Sequence, residues 1–197
     1  MKTLYISLKF FLFFTVLTGI IYPLLITGIA QITFPAKANG SVIMKNNKLI
    51  GSELIGQRFD SAIYFNSRPS AVSYNPLPSG GSNFGLTNAK LKHSVDSLKR
   101  QFITFNQLDS LSEIPSEMVF ASASGLDPHI SPESANLQIH RISKARNLTP
   151  QQQSALEKFI ISSKIYPQYG LFGESCVNVL ILNLELDQNY TQHSHLN

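Results

Sequence analysis

The sequence predicts an α+β fold in which one N-terminal transmembrane helix precedes a single compact soluble domain. Three observations carry that reading. Charged residues make up only 14% of the 197 residues, against about a quarter in ordinary soluble proteins. No charge falls between Lys9 and Lys37. Beyond that gap, stretches of helical period alternate with short apolar runs broken by Pro and Gly. The expected organisation is a short tail (1–9), a membrane helix (10–34), a soluble α+β domain (35–187) and a disordered polar tail (188–197).

The segment Phe10 to Phe34 reads FFLFFTVLTGIIYPLLITGIAQITF. As a helix it would extend about 37 Å, enough to cross a hydrocarbon core of about 30 Å. Lys2 and Lys9 ahead of it and Ala36-Lys37-Ala38 behind it also resemble a cleavable signal, but the apolar run is about twice the length of a signal's hydrophobic region. A retained single-pass anchor is therefore expected. Thr15, Gly19, Pro23 and Thr27 recur every four residues, a face on which small side chains let another helix approach. Pro23 should bend the helix by removing one backbone hydrogen bond. Lysines flank both ends in nearly equal number, so charge does not set the orientation.

In SVIMKNNKLIG, from Ser41, Asn46-Asn47 tolerates the positive φ of a tight hairpin. Three prolines in Arg68 to Gly81 forbid a helix and predict an ordered loop. Leu91, Val95, Leu98, Phe102 and Phe105 form one stripe, predicting a helix over 88–105. Met118 to Ser122, MVFAS, reads as a short strand. Ser131-Pro132 starts a helix with Ala135, Ile139, Ile142 and Ala145 inward. Thr149-Pro150-Gln151-Gln152 is a capping box opening a last helix with Leu156, Phe159 and Ile160 inward. In CVNVLILNLELD, 176–187, leucines at 180, 182, 184 and 186 alternate with polar residues, the period of a half-buried strand.

Candidate chemistry is sparse. PSGGSNFGLTN, from Pro78, matches the phosphate-loop pattern at Gly80, Gly85 and Thr87 but has Leu86 where the lysine should be. Its amides could form an anion-binding concavity, with Arg68 as a cationic partner, yet an ordered loop capping the 88–105 helix is the expected role. Ser124, Asp127 and His129 suggest a serine hydrolase, but they crowd into one turn without a nucleophile elbow. Asp127 and His129 are too few to hold zinc, and no metal site is expected. Cys176, the only cysteine, sits among apolar residues as an inert thiol. The formal charge of +4 is spread along the chain, which excludes a nucleic-acid surface.

Taken in order, IGQRF (55–59), YFNSRPSA (64–71), SGGSNFGLTN (79–88), SASGLDPHISP (122–132), QIHRISKAR (138–146) and GLFGESCVNVLILNLELD (170–187) resemble the C-subunit (KdpC) family of the Kdp potassium-transporting P-type ATPase. The resemblance runs from about residue 5 to residue 187. Phe84 and Leu86 stand where the family usually has leucine and proline, and Ala123 replaces a glycine. It implies a non-catalytic subunit of an ATP-driven, high-affinity potassium importer of the bacterial inner membrane. Its partners would be a channel-like potassium-selecting subunit, a P-type ATPase subunit and a small membrane subunit. The family is described as stabilising the complex and as a catalytic chaperone that raises the ATP affinity of the ATPase subunit. The SGG loop is likened to nucleotide-contacting loops, so any cofactor would be an ATP shared with that subunit and none bound by this chain alone. The binding or inter-subunit residues so implied are Arg68, Ser79, Gly80, Gly81, Ser82, Asn83, Ser124, Gly125, Asp127 and His129, on a domain placed outside the cytoplasm. The residues themselves leave two alternatives, an anchored extracytoplasmic anion-binding domain and a serine hydrolase.

Overall fold

In the first of two units, Met1–Ser52, a helix too apolar for water carries almost no buried side chain. A computed structural model describes residues 1–45 and 47–190 of the chain. Helix α1 (Lys2–Val16) passes through a π turn (Leu17–Ile21) into α2 (Tyr22–Thr33). The continuous run of 32 residues is long and apolar enough to cross a bilayer. It begins ahead of the apolar core, so residues 2–9 are helical too. The π turn answers Pro23: its ring would press on the carbonyl four residues back, at Gly19, and it has no N–H to give. The helix widens there, and the Tyr22 amide reaches Leu17 O. Thr15, Gly19, Pro23 and Thr27 are all exposed, and the π turn interrupts their four-residue repeat at Gly19. Thr15 and Thr18 return their hydroxyls to Phe11 O and Phe14 O at 2.7 Å, as a solvent without hydrogen-bonding capacity requires.

A short helix, α3 (Pro35–Ala38), leads to the expected hairpin, β1 (Val42–Lys45) against β2 (Lys48–Ser52). Met44 faces Leu49 and Lys45 faces Lys48. Asn47 takes φ 59°, and Asn46 lies outside the described residues. The hairpin groups with this first unit, although the soluble domain was expected to start at residue 35.

The second unit begins at Glu53. Its helices are α4 (Ala89–Asn106), α5 (Pro132–Arg146), α6 (Pro150–Ser162) and α7 (Val179–Asn189). A two-stranded ladder, β3 (His129–Ile130) with β4 (Val177–Asn178), joins the start of α5 to the start of α7. Ile139, Ile142, Leu156, Ile160, Leu182 and Leu186 form the centre of the core, with Phe65 fully enclosed among them. The predicted caps are present. Ser131 Oγ accepts from Ser134 N, and Thr149 with Gln152 makes the reciprocal box. Phe102 is the one residue of the α4 stripe that is buried; the others are partly covered or exposed.

Two elements differ from expectation. Residues 179–189 are helix, not strand: Asn178 caps it by accepting from Ile181 N at 3.2 Å, and Val179, Leu182, Asn183 and Leu186 make an inward face of helical period. Alternating leucines fit both periods over so short a run, and leucine's helix propensity with a polar cap resolves the ambiguity. Nor is MVFAS a strand. Amides of Met118, Val119 and Phe120 turn back onto Pro115 O and Ser116 O, so the segment winds as a 3-10 turn (Ser116–Met118) and offers no ladder. Of the polar tail, residues 191–197, with His193 and His195, lie outside the described residues, and 188–189 complete α7.

Residues 62–66, half-buried except for the fully enclosed Phe65, run against the core without a strand partner. Asn183 brackets Phe65, accepting from its N at 2.7 Å and donating to its O at 2.9 Å. Gln138 accepts from Asn66 N at 2.7 Å. Arg141 reaches Ala62 O at 2.5 Å, Asn66 Oδ1 at 2.8 Å and Asn106 Oδ1 at 2.9 Å. Arg146 holds Ile63 O at 2.7 Å and pairs with Asp187 at 2.8 Å. Arg141 is buried without a carboxylate partner, and burial pushes its guanidinium down to about 10, still protonated at neutral pH. Asn183→Leu keeps the shape but orphans both Phe65 backbone groups. It is expected to lower unfolding free energy by about 2–6 kcal/mol, at about 1–3 per orphaned group, measured by denaturant titration of the detergent-solubilised chain.

Candidate functional site

Loops from four parts of the second unit are pinned to the turn Ser122–His129. Gly56 N donates to Leu126 O at 2.7 Å, Ser122 N to Pro69 O at 3.3 Å and Gly80 N to Ser124 O at 3.0 Å. Ser70 Oγ donates to Gly125 O at 2.7 Å while accepting from Tyr74 N at 2.9 Å. Glu117 caps the start of α5, accepting from Ser131 N at 2.7 Å and from Ser134 Oγ at 2.5 Å. Val179 N then ties Pro128 O to the start of α7 at 3.0 Å.

Three glycines are needed for the close packing. A Cβ on Gly56 would lie 2.7 Å from Asp127 O. One on Gly81 would lie 3.2 Å from Ala123 O. Gly125 has φ +71°, and its Cβ would lie 2.5 Å from Val72 Cγ2 and 2.9 Å from Gly80 O. Gly80 and Gly85 by contrast have open space where a Cβ would project.

At the centre Arg68 and Asp127 pair at 2.8 Å. Asp127 Oδ1 also accepts from His129 N at 3.0 Å and lies 3.4 Å from His129 Nδ1. Burial alone would raise the Asp127 carboxyl, but the bonds from His129 and the Arg68 charge outweigh it and hold it below the usual range. Tyr74 OH donates to Arg68 O, and burial keeps that phenol neutral by raising it. Ser124 Oγ accepts from Leu126 N at 3.1 Å, closing its own turn. No serine hydroxyl is hydrogen-bonded to His129 among the described residues.

The structure thus brings together Arg68, Gly80, Gly81, Ser124, Gly125, Asp127 and His129. Ser79, Ser82 and Asn83 stand exposed on the outer side of the loop, Asn83 at φ 53°. The loop caps α4 as expected, through its last residue: Asn88 accepts from Lys90 N at 2.8 Å. No group of three or more His, Cys, Asp or Glu is placed to hold a metal among the described residues. A cleft of about 590 Å³ opens beside the pair, lined in part by Arg68, Ser70, Tyr74, Gln101 and Phe105. Gly56, Ser70, Tyr74 and Glu117 were not singled out as site residues. Their roles depend on where distant loops meet, and only the blocks IGQRF and YFNSRPSA hinted at the first two.

A family model for the K+-transporting ATPase c chain matches residues 4–188. The chain belongs to the KdpC family. Relatives named potassium-transporting ATPase KdpC subunits agree over nearly the whole length. The one from Caldanaerobacter subterraneus subsp. tengcongensis is 44% identical over 188 residues, 95% of each chain. The one from Polynucleobacter asymbioticus is 46% identical over 187 residues, 92% of this chain and 96% of its own. That from Allorhizobium ampelinum is 47% identical over 179 residues, 88% and 90% respectively. KdpC membership thus takes in the apolar helix as well as the interlocked loops.

Two outcomes follow from the interlock. Gly125→Ala is expected to cost about 1–3 kcal/mol from the left-handed backbone alone, whereas Gly80→Ala leaves the unfolding midpoint unchanged; thermal unfolding of the two variants checks the contrast. Because the folded Asp127 carboxyl is depressed, its contribution to stability is fully present above the unfolded value, near 3.9. That contribution disappears as pH falls through the lower folded value. Stability measured from pH 6 down to 2 should lose this part of its acid limb in Asp127→Asn.

Proposed function

We propose that the chain is a non-catalytic subunit of an ATP-driven, high-affinity potassium import complex. It is anchored by Lys2–Thr33 in the bacterial inner membrane and is needed for the complex to assemble and remain stable. Its partners are the channel-like potassium-selecting subunit, the P-type ATPase subunit and a small membrane subunit. The soluble unit works on the extracytoplasmic side, and any rise in the ATP affinity of the ATPase subunit is transmitted indirectly. Membership of the KdpC family carries the reading. The use of the candidate chemical groups supports its non-catalytic part: Ser124, Asp127 and His129 are engaged in turn and ion-pair bonds, and the Gly80 amide is committed to Ser124 O.

One observation favours a second reading, direct contact with nucleotide in a ternary complex. Ser82 and Asn83 are exposed beside Gly80, which has room for a neighbour. The missing lysine means that such a loop would complete a site belonging to another subunit.

Three measurements separate these readings. An affinity-tagged chain should co-purify with the larger membrane subunits, and cells lacking it should fail to grow at very low potassium. Normal growth there would overturn the assembly role. Protease added to intact spheroplasts should remove residues beyond 38; protection would place the unit in the cytoplasm and revive direct contact. Gly80→Asp in the assembled complex should leave KM for ATP within about twofold of wild type. A large rise with the fold intact would establish the second reading.

A further inference from the structure

The turn between α6 and β4 carries the most exposed apolar cluster of the second unit. Tyr166, Tyr169, Leu171 and Phe172 are 68%, 84%, 81% and 67% exposed, and Ile165 is 48% exposed. These values suit a surface that meets something other than water.

The turn is built, not frayed. Ile165 and Cys176 exchange both backbone bonds, at 2.8 and 3.1 Å. Gln168 and Phe172 do the same at 2.9 and 3.0 Å, with Gly170 N on Pro167 O at 2.9 Å inside. Tyr169 at φ 56° and Gly170 at φ 73° make the tip. Most of the polar backbone is therefore satisfied within the turn, the condition for entering a medium poor in hydrogen-bond partners. From Ile165 to Gly173 there is no charged residue. The nearest cation, Lys164, lies at the neck with Nζ 5.0 Å from the Tyr166 ring centroid.

We infer that this turn, Lys164 to Gly173, is an interfacial lipid-binding loop that seats the soluble unit on the bilayer surface. Tyrosine rings favour the zone where one end is apolar and the other wet, and a lysine beside them can send its ammonium to the headgroups. Leu171 and Phe172 supply the apolar area that a shallow insertion would bury. The chain itself supplies the proximity. Nineteen residues, 34–52, separate the apolar helix from the second unit, so a lipid surface is present at high effective concentration without a further partner. This rests on the proposed reading of Lys2–Thr33 as a bilayer-spanning anchor.

The chain contains no tryptophan, so a single indole reports its own surroundings. The full chain carrying Phe172→Trp is reconstituted into phosphatidylethanolamine/phosphatidylglycerol vesicles with bromine on the acyl chains near the headgroup. Phe14→Trp serves as the spanning reference, and Leu111→Trp as a control on another exposed turn, where Leu111 is 89% exposed. Quenching at position 172 should approach that at 14 and exceed that at 111 several-fold, with Tyr169→Trp repeating the result at the tip. Quenching at 14 with none above the control at 172 and 169 overturns the loop assignment alone. No quenching at 14 overturns the anchor and this inference with it. A blue-shifted but unquenched indole at 172 gives the turn to a second copy or another protein, and overturns lipid as its occupant.

Discussion

The structure depends on how the stretch Ala62–Asn66, which carries the enclosed Phe65, is kept from orphaning its backbone. A buried segment without a ladder would leave carbonyls and amides unpaired at a cost comparable to lost hydrogen bonds. Four side chains from two helices take the place of the missing strand: Gln138, Arg141 and Arg146 from α5, and Asn183 from α7. With Phe65 fixed at the centre of the core, the chain leaves the interior in a defined direction. Arg68 and Ser70 then reach the turn that carries Gly125 and Asp127. The site hangs from this polar scaffold, and its glycines allow the loops to close on one another.

The helix starts, the hairpin and the apolar span were legible because each is set by local chemistry: a capping hydroxyl before proline, an Asn pair between apolar runs, an uncharged stretch of sufficient length. Residues 179–187 were misread because an every-second leucine pattern is compatible with a helix once Asn178 caps it and Asn183 turns inward. That inward turn needs Phe65 as a partner 118 positions away, which no local window contains. Arg141 illustrates the same limit. On sequence it interrupts an apolar stripe and would ordinarily be assigned to the surface, yet it is 2% exposed, its donors taken by neutral oxygens of Asn106 and of the Ala62–Asn66 stretch.

The glycine loop shows how a motif and its geometry separate. The spacing of Gly80 and Gly85 imitates a phosphate loop, but a phosphate loop presents its amides to the ligand at a helix N-terminus. Here Gly80 gives its amide to Ser124 O, and the first turn of α4 is capped by Asn88. Gly81 is small because Ala123 is close, and Gly125 is left-handed because the turn reverses there. Gly81 and Gly125 serve contact between loops of one chain, whereas Gly80 and Gly85, the two that imitate the phosphate loop, have open space around them.

Chemistry is unevenly distributed between the inside and the outside of the second unit. Most groups that could act on a substrate face one another: Arg68 with Asp127, Asp127 with His129, Arg146 with Asp187. Several outward surfaces are apolar or neutral: α1 and α2 between Phe10 and Thr33, the outer side of the glycine loop and the aromatic turn at 165–172. The polar scaffold around Phe65 makes the interior of the second unit rigid, because none of its four helix-borne partners can be withdrawn without stranding backbone in the core.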